Sequence, residues 1–352
     1  MNYFILKKKR AISFLLLSYL IIVFSCNQEE SYLIKTKKKI SSNFELAKRK
    51  IDIQIDEKCL NYYPKSTILE LEGNTYLIGF NNRVHSIDIF DLHGERFDHR
   101  ISLQSEGPNA VYRIRQITAS SLDSIFVFDS SGTFKLLNSS GTIINGYNPR
   151  VNINNSKSKP MPINEARLFY KKNTGELFFH LKPEIIKHKG SVDITNLKSP
   201  IVGVYNFKTN KSSELAIQYP KYALKHNDSF SSDLVPNLTF TNEKIVMNYI
   251  FESNVYAYEF SNNHYNEFGG ESEYTNNLVD PYVSNIPVEQ LIIINSKFNS
   301  TFFIDSHYYR TQWNEQPLKN GNGLFNSLIS KPASISIWNS SYEIIHESML
   351  DR

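Results

Sequence analysis

The chain has 352 residues, of which 41% are hydrophobic and 13% aromatic, and its 39 basic residues against 35 acidic ones give a formal net charge of +4. All of this excess lies in Lys7–Arg10, because residues 1–25 contain these four bases and no acid. Without that segment, 39 − 4 = 35 bases balance 35 acids, which argues against a nucleic-acid-binding domain. The 23 Phe and 21 Tyr residues exclude an intrinsically disordered chain.

The first 26 residues have the order of a targeting signal. The bases precede an apolar run, Ala11–Phe24, whose 14 residues are fewer than the roughly 20 that a membrane-spanning helix needs but suit a signal peptide. The next segment, Val23–Cys26, resembles the lipobox of bacterial lipoproteins. That resemblance implies lipidation of Cys26 and removal of residues 1–25. The alternative is an ordinary secretory signal followed by a coincidental cysteine.

The residues after Cys26 indicate a destination. Asn27 stands where an Asp would resemble an inner-membrane retention signal, and Gln28–Glu30 resembles the surface-export signal of some Gram-negative lipoproteins. We therefore expect a lipid-anchored outer-membrane protein, with the cell surface favoured over the periplasm. Residues 26–50 form a Lys-rich tether, which either touches lipid headgroups or, as we favour, is a solvated spacer.

From residue 51 to residue 352 the sequence predicts one all-β domain. Short apolar and β-branched runs recur between Gly, Asn, Asp and Ser residues. In Asn254–Phe260 the alternation is strict, which places every second side chain on the same face of a strand. Val288–Ile294 is one of few short helix candidates. The other clear strands are Thr75–Phe80, Val84–Phe90, Ser124–Phe128, Glu176–His180, Ile201–Phe207, Lys244–Tyr249 and Ser334–Trp338.

Three of the turns share a signature of Asp or Asn followed three residues later by Gly. They are Asp91–Glu95, Asp129–Thr133 and Asn138–Thr142. An Asp or Asn side chain at the first position accepts a backbone N–H, and the Gly adopts the left-handed conformation that closes a hairpin. We therefore interpret these side chains as turn caps rather than as calcium ligands or catalytic acids.

The strands group into antiparallel units of about 40–50 residues, the period of a β-propeller blade. The units begin near residues 67, 110, 165, 198, 236 and 290, with a last one near 331. The length that remains after the signal peptide and tether has room for about six blades. Either the strand near 67–72 completes the last blade or the last blade is short. Because unpaired strand edges are a liability, we expect residues before about 75 to contribute to the closure.

Several short motifs carry a family resemblance. The loop Glu106–Asn109, with Leu122–Val127, Asn206-Phe207, Tyr219-Pro220 and Lys331–Ile335, resembles the bacterial lipoproteins catalogued as domain of unknown function 4221, related to six-bladed propeller lipoproteins. The resemblance covers most of residues 50–350 and implies a propeller but no activity. The loop is interpreted as a structural bend between blades, or alternatively as a polar contact on one propeller face; its residues are Glu106, Gly107, Pro108 and Asn109.

The sequence contains no recognisable catalytic or metal-binding motif, and its nine His residues are scattered. We therefore predict no catalytic residue, no metal ligand and no cofactor beyond the lipid on Cys26. Cys59 is left as a structural thiol. Six aromatic residues either line a ligand groove or, as we favour, fill the gaps between blades: Tyr256, Tyr258, Tyr308, Tyr309, Trp313 and Trp338.

Three functions stay open for such a protein. The first is a non-enzymatic binding module for a protein or glycan partner, either a monomer or a subunit of a membrane complex, with no nucleic acid. The second is a propeller hydrolase or lactonase with a divalent cation at the central channel, which converging carboxylates would favour. The third is a structural subunit of a surface glycan-uptake complex. A channel of Ser, Thr and aliphatic residues would favour the binding module.

Overall fold

The computed structural model describes residues 33–40, 50–148, 158–160, 168–183, 187–188, 191–192, 199–219, 236–250, 252–277, 290, 293–327 and 330–350. Within these ranges the regular secondary structure is almost entirely β-strand, arranged as the five blades of a β-propeller. The predicted fold class is therefore correct, and the number of blades is five rather than six. Of the helix candidate Val288–Ile294, the described residues are helical.

Each blade is built on four antiparallel strands that follow one another in the sheet. A short strand, β1 (Lys37–Lys38), precedes the blades. Blade 1 contains β2 (Ser66–Leu71), β3 (Asn74–Asn81), β4 (Ser86–Asp91) and β5 (Arg96–Ser102). Blade 2 contains β6 (Ile114–Ser121), β7 (Ser124–Asp129), β8 (Phe134–Leu137) and β9 (Ile143–Tyr147).

The remaining blades follow the same plan. The four main strands of blade 3 are β11 (Leu168–Lys171), β12 (Glu176–Pro183), β15 (Val202–Asn206) and β16 (Lys211–Leu215). In addition, β10 (Ser158–Pro160) pairs with the end of β12, and β13 (Lys187–His188) and β14 (Ser191–Val192) form a small hairpin. Blade 4 contains β17 (Asn237–Phe240), β18 (Lys244–Asn248), β19 (Val255–Glu259) and β20 (His264–Phe268). Blade 5 contains β21 (Lys297–Ile304), β22 (His307–Trp313), β23 (Ala333–Trp338) and β24 (Glu343–Leu350).

The difference in blade number has a topological cause. In blade 3 the second strand ends at Pro183 and the third begins at Val202, and in blade 5 the same gap runs from Trp313 to Ala333. In a sequence, such a long connection looks the same as a boundary between blades. The units predicted to begin near 198 and 331 are therefore the second halves of blades 3 and 5.

The first strand of each blade lies nearest the propeller axis. Across blade boundaries β2 contacts β6, β6 contacts β11 and β17 contacts β21. Since strands alternate in direction, the turns within each strand pair, first to second and third to fourth, open on one side of the ring, which we call the hairpin face. The other connections form the loop face. Tight turns with left-handed residues, such as Gly73 at φ 81° and Asn263 at φ 53°, mark the hairpin face.

Hydrophobic clusters join consecutive blades, because each sheet presents apolar side chains on both faces. On β12 the adjacent residues Phe178 and Phe179 enter different clusters, the first shared with blade 4 and the second with blade 2. Trp338 and Tyr308 are fully buried between blades 4 and 5. Burial of each such side chain contributes about 1.5–3 kcal/mol. These interblade clusters are the main cores of the molecule.

The N-terminal residues fasten the outer edges of the first and last blades. Strand β1 pairs in parallel with β24, and Gln54 pairs in parallel with Arg96 of β5. Strand β2 (66–71) is the first strand of blade 1 and pairs with β3. Strand β2 therefore does not complete the last blade, and that blade has four strands of its own. The expected closure by residues before about 75 is made by β1, which pairs with the last strand β24. Pairing with β1 also covers part of an edge strand that would otherwise be open.

Candidate functional site

A recess of about 520 Å³ opens on the hairpin face between blades 3 and 4. It forms where β11 and β19 end and where the turn between β17 and β18 projects. Charged side chains gather here because these positions are strand ends and turns, which need not enter an interblade core. The lining residues are Lys171, Asn242, Glu243, Lys244, Glu259, Phe260 and Ser261.

Both lysines of the recess lie against aromatic rings. The Nζ atom of Lys171 is 4.4 Å from the centre of the Phe260 ring, and that of Lys244 is 4.1 Å from the centre of the Phe303 ring. Lys244 also donates a hydrogen bond of 3.1 Å to the Tyr308 hydroxyl. The negative face of an aromatic ring attracts an ammonium group, so both charges are held in defined positions while their apolar stems are covered.

The carboxylates of the recess differ in how firmly they are held. Glu259 accepts hydrogen bonds from Asn262 at 3.3 Å, Asn266 at 3.4 Å and the Tyr342 hydroxyl at 3.4 Å, and its Oε1 lies 3.9 Å from the Nζ atom of Lys244. Burial raises the pKa of Tyr342 above its ordinary value. Glu243 is exposed.

The recess therefore presents separate positive and negative groups around one aromatic ring. Lys171 has no carboxylate in ion-pair contact among the described residues, whereas Lys244 lies beside Glu259. An anionic group of a ligand would meet Lys171, and a cationic group would meet Glu243. Such a site suits a small polar molecule that carries both charges.

Two titratable residues away from the recess, Glu252 and Arg310, are fully buried between blades 4 and 5. Glu252 accepts 2.5 Å hydrogen bonds from the Tyr256 hydroxyl and from the Asn254 amide, and burial raises its pKa to about 7. The guanidinium of Arg310 lies 4.5 Å from the centre of the Phe298 ring. Burial lowers the pKa of Arg310 to about 9. This group has no exposed surface and belongs to the core.

The innermost strands carry little acidic chemistry. Glu70 is the single acidic residue within β2, β6, β11, β17 and β21. In the ranges that the structure describes, no three His, Cys, Asp or Glu side chains are grouped to hold a metal ion. No helix in those ranges is long and apolar enough to cross a membrane.

The comparison with protein families identifies the chain. The family model described as Domain of unknown function (DUF4221) matches residues 41–287, which is more than half of the 352 residues. The chain belongs to the DUF4221 family. No curated protein matches it.

Solved structures share the DUF4221 propeller. A DUF4221 member from Bacteroides vulgatus superposes with a TM-score of 0.69 at 17% identity, covering 87% of this chain and 86% of that one. A Bacteroides fragilis protein whose name describes it as exported superposes with a TM-score of 0.52 at 9% identity, covering 85% and 74% of the two chains. At these identities the likeness shows the fold.

The loop that carries the DUF4221 resemblance is an exposed bend on the loop face, away from the recess. Gly107 has φ 87°, and the Ala110 N–H donates to the Gly107 carbonyl at 3.1 Å. Within the described residues, the side chains of Glu106 and Asn109 form no hydrogen bond. Glu106, Gly107 and Pro108 are exposed. Whether the loop contacts a partner stays a prediction.

The predicted aromatic residues divide into two groups in this DUF4221 chain. Four of them fill gaps between blades, as favoured from the sequence. They are Tyr256, Tyr258, Tyr308 and Trp338. Tyr309 and Trp313 are half-buried. Cys59 is a free buried thiol whose pKa is raised by burial, and Cys26 lies outside the described residues.

The turn caps were predicted well from the sequence. The Asp91 carboxylate accepts from the Gly94 N–H at 2.8 Å, and the Asn138 side chain accepts from the Thr142 N–H at 2.8 Å. The left-handed residue of the first turn is Glu95 at φ 53°, not Gly94 as the pattern predicts. The recess itself was missed, because no motif marks it. Its one sequence signal is a charged residue beside an aromatic residue at a strand end, as in Glu259-Phe260.

Proposed function

We propose that this DUF4221 chain is a lipid-anchored extracytoplasmic binding module that takes a small polar ligand at the recess on the hairpin face. The observation that carries the binding role is the recess itself, in which Lys171 and Glu243 offer opposite charges beside Phe260. A ligand such as an amino acid, a short peptide or a charged sugar has the matching chemistry. Binding fixes its orientation through the two charges.

A binding role is better supported than metal-dependent hydrolysis. A catalytic divalent cation at a propeller channel needs several oxygen ligands that converge. Glu70 is the single acidic residue on the innermost strands. Strand β6, for example, carries Ser, Thr and aliphatic side chains together with Arg115 and Gln116, and no carboxylate.

The proposed cellular location rests on the N-terminal sequence. The basic and apolar segments before Cys26 support export and lipidation, and the acidic cluster Gln28–Glu30 supports an outer-membrane location with the cell surface favoured. The similarity to a Bacteroides fragilis protein described as exported supports a place outside the cytoplasm. Two or three acyl chains would anchor the protein stably.

The anchor is tested by replacing Cys26→Ala in the full chain expressed in a Gram-negative host. We expect loss of radioactive fatty-acid labelling and loss of the protein from the outer-membrane fraction, because the acyl acceptor is gone. The matched control is Cys59→Ala, which should keep both. Unchanged labelling in the Cys26 variant would refute the lipid anchor.

The ligand site is tested by thermal unfolding of the full mature chain with a panel of amino acids, dipeptides, amino sugars and uronic acids. The variant Lys171→Met removes the ammonium but keeps an apolar stem over Phe260. Since hydrogen bonds to charged groups contribute about 1.5–3 kcal/mol, a ligand that stabilises the wild type should bind this variant about 10- to 100-fold more weakly. The exposed neighbour Lys172→Met should bind as the wild type does. Equal binding by both variants would exclude the recess.

A further inference from the structure

The segment that follows the predicted anchor lies on the propeller instead of hanging free. Ile34, Thr36 and Lys38 all bond inward. The Ile34 N–H donates to Asn254 at 3.0 Å, Thr36 Oγ1 accepts from the Glu271 N–H at 2.8 Å, and Lys38 Nζ lies 3.1 Å from Glu273 and 3.0 Å from Glu347. These partners belong to blades 4 and 5 and the connection between them. The segment is therefore docked along the outer edge of blade 5.

The alternate residues of the same segment point outward. Lys35, Lys37 and Lys39 are exposed, as expected for an extended chain in which successive side chains face opposite ways. We call these three residues the basic edge. Ile40, the next residue, is 58% exposed and adds an apolar side chain beside them.

The charges of the basic edge are available to an external partner. Among the described residues none of its three lysines forms an ion pair. The neighbouring acids are already engaged: Glu273 and Glu347 bind Lys38, and Glu343 accepts from Asn339 at 2.9 Å. The positive side chains therefore form the outermost layer of this edge.

The chain length brings this edge close to the lipid. Only seven peptide units separate Cys26 from Leu33, the first described residue, and a fully extended chain of that length reaches about 25 Å. A lipid on Cys26 would hold Leu33 within that distance of the headgroups, and Lys35, the nearest residue of the basic edge, follows two residues later. Each lysine near an anionic lipid surface favours the docked orientation about fivefold.

We propose that the basic edge rests on an anionic lipid surface and turns the outer edge of blade 5 toward the membrane. This inference rests on the proposed lipid anchor at Cys26. The acyl chains supply attachment, and the basic edge supplies orientation. The interaction is electrostatic, so it weakens as salt shortens the screening length.

The test uses the full mature protein in vesicles of phosphatidylcholine alone or mixed with phosphatidylglycerol. Lysines are labelled with an amine-reactive reagent and quantified by mass spectrometry. We expect several-fold protection of Lys35, Lys37 and Lys39 in the anionic vesicles at low salt, and loss of that protection at high salt. Lys58, Lys172 and Lys211 are exposed and serve as internal controls that should label equally in both vesicles.

Two outcomes separate this inference from the anchor. If the protein floats with both kinds of vesicle but the basic edge labels equally in each, the anchor holds and the inference is wrong. If the protein floats with neither kind of vesicle, the lipid anchor that is part of the proposed function is refuted. A triple variant, Lys35→Gln, Lys37→Gln and Lys39→Gln, should still float with both kinds of vesicle, because the acyl chains alone supply the attachment.

Discussion

Two buried carboxylates in this molecule behave oppositely because of their partners. Burial opposes ionisation of Asp88, but donors surround it: Arg100 at 2.6 Å, Tyr63 at 2.6 Å and Asn81 at 2.7 Å. These hydrogen bonds outweigh burial and hold the pKa of Asp88 below its usual value. Glu252 has two neutral donors and no ion pair, so burial dominates and its pKa rises to about 7. A charged partner in contact decides which carboxylate stays ionised.

The raised pKa of Glu252 predicts a measurable pH dependence. Between the ordinary value of 4.5 and about 7, the folded state holds a proton that the unfolded state has lost, so stability falls as pH rises through this window and is level above it. The whole difference is about 3 kcal/mol. In Glu252→Gln this contribution is absent. We therefore expect the difference in free energy of unfolding, variant minus wild type, to rise by up to about 3 kcal/mol between pH 4.5 and pH 8.

Urea unfolding at a series of pH values, followed by fluorescence, measures this difference. Comparison with wild type cancels the contributions that other titrating groups make to the pH dependence. One of these groups is His180, because burial lowers its pKa to about 3. The matched control is Glu243→Gln, because that side chain is exposed and its variant should follow the wild-type curve. Parallel curves for Glu252→Gln and wild type would show that the buried carboxylate does not titrate in this window.

At the scale of single elements, the docking of the N-terminal segment depends on the absence of a side chain at Gly269. A Cβ at this position would meet the Ile34 carbonyl oxygen and would lie 2.7 Å from the Thr36 nitrogen. Both are backbone atoms, which cannot turn aside as a flexible side chain can. The close approach therefore requires glycine at the end of β20.

We expect Gly269→Ala to displace residues 33–40 while the five blades persist. The lysines of this segment should then become rapid trypsin sites, and global stability should fall by only about 1–2 kcal/mol. Limited proteolysis with mass spectrometry measures the first effect and thermal unfolding the second. Gly321→Ala, where a Cβ meets open space, should leave both unchanged. Slow cleavage in Gly269→Ala would mean that the segment tolerates the methyl group and is held elsewhere.

Strands and turns were predictable from the sequence to the extent that their signals are local. The alternation in Asn254–Phe260 predicted β19, and Asp91 was correctly interpreted as a cap. The docking of residues 33–40 was not predictable, because Thr36 and Lys38 find partners more than 200 positions away in the chain. The left-handed conformation of Glu95 was not predicted for a different reason. The preceding Gly94 fits the turn signature, so the sequence assigned the left-handed conformation to the glycine.

At the scale of the whole molecule, the sequence predicted a propeller but neither the number of its blades nor the position of the recess. The count depends on whether a long gap, such as that between Pro183 and Val202, lies inside a blade or between blades, and composition does not distinguish the two. The recess joins Lys171 of blade 3 to Glu243 and Phe260 of blade 4. Only the packing of blades brings such residues together, so no linear motif records them.

The charge of the whole chain provides a last test, since it depends on whether residues 1–25 are removed. The full chain carries a formal net charge of +4, and all four excess bases lie in Lys7–Arg10. The processed chain is neutral, with bases and acids in balance, which is the condition of least electrostatic repulsion between molecules. We expect protein isolated from cells to focus at a clearly more acidic pH than the same chain translated in a membrane-free extract. Coincident bands would show that residues 1–25 are retained and that they are not a cleaved signal peptide.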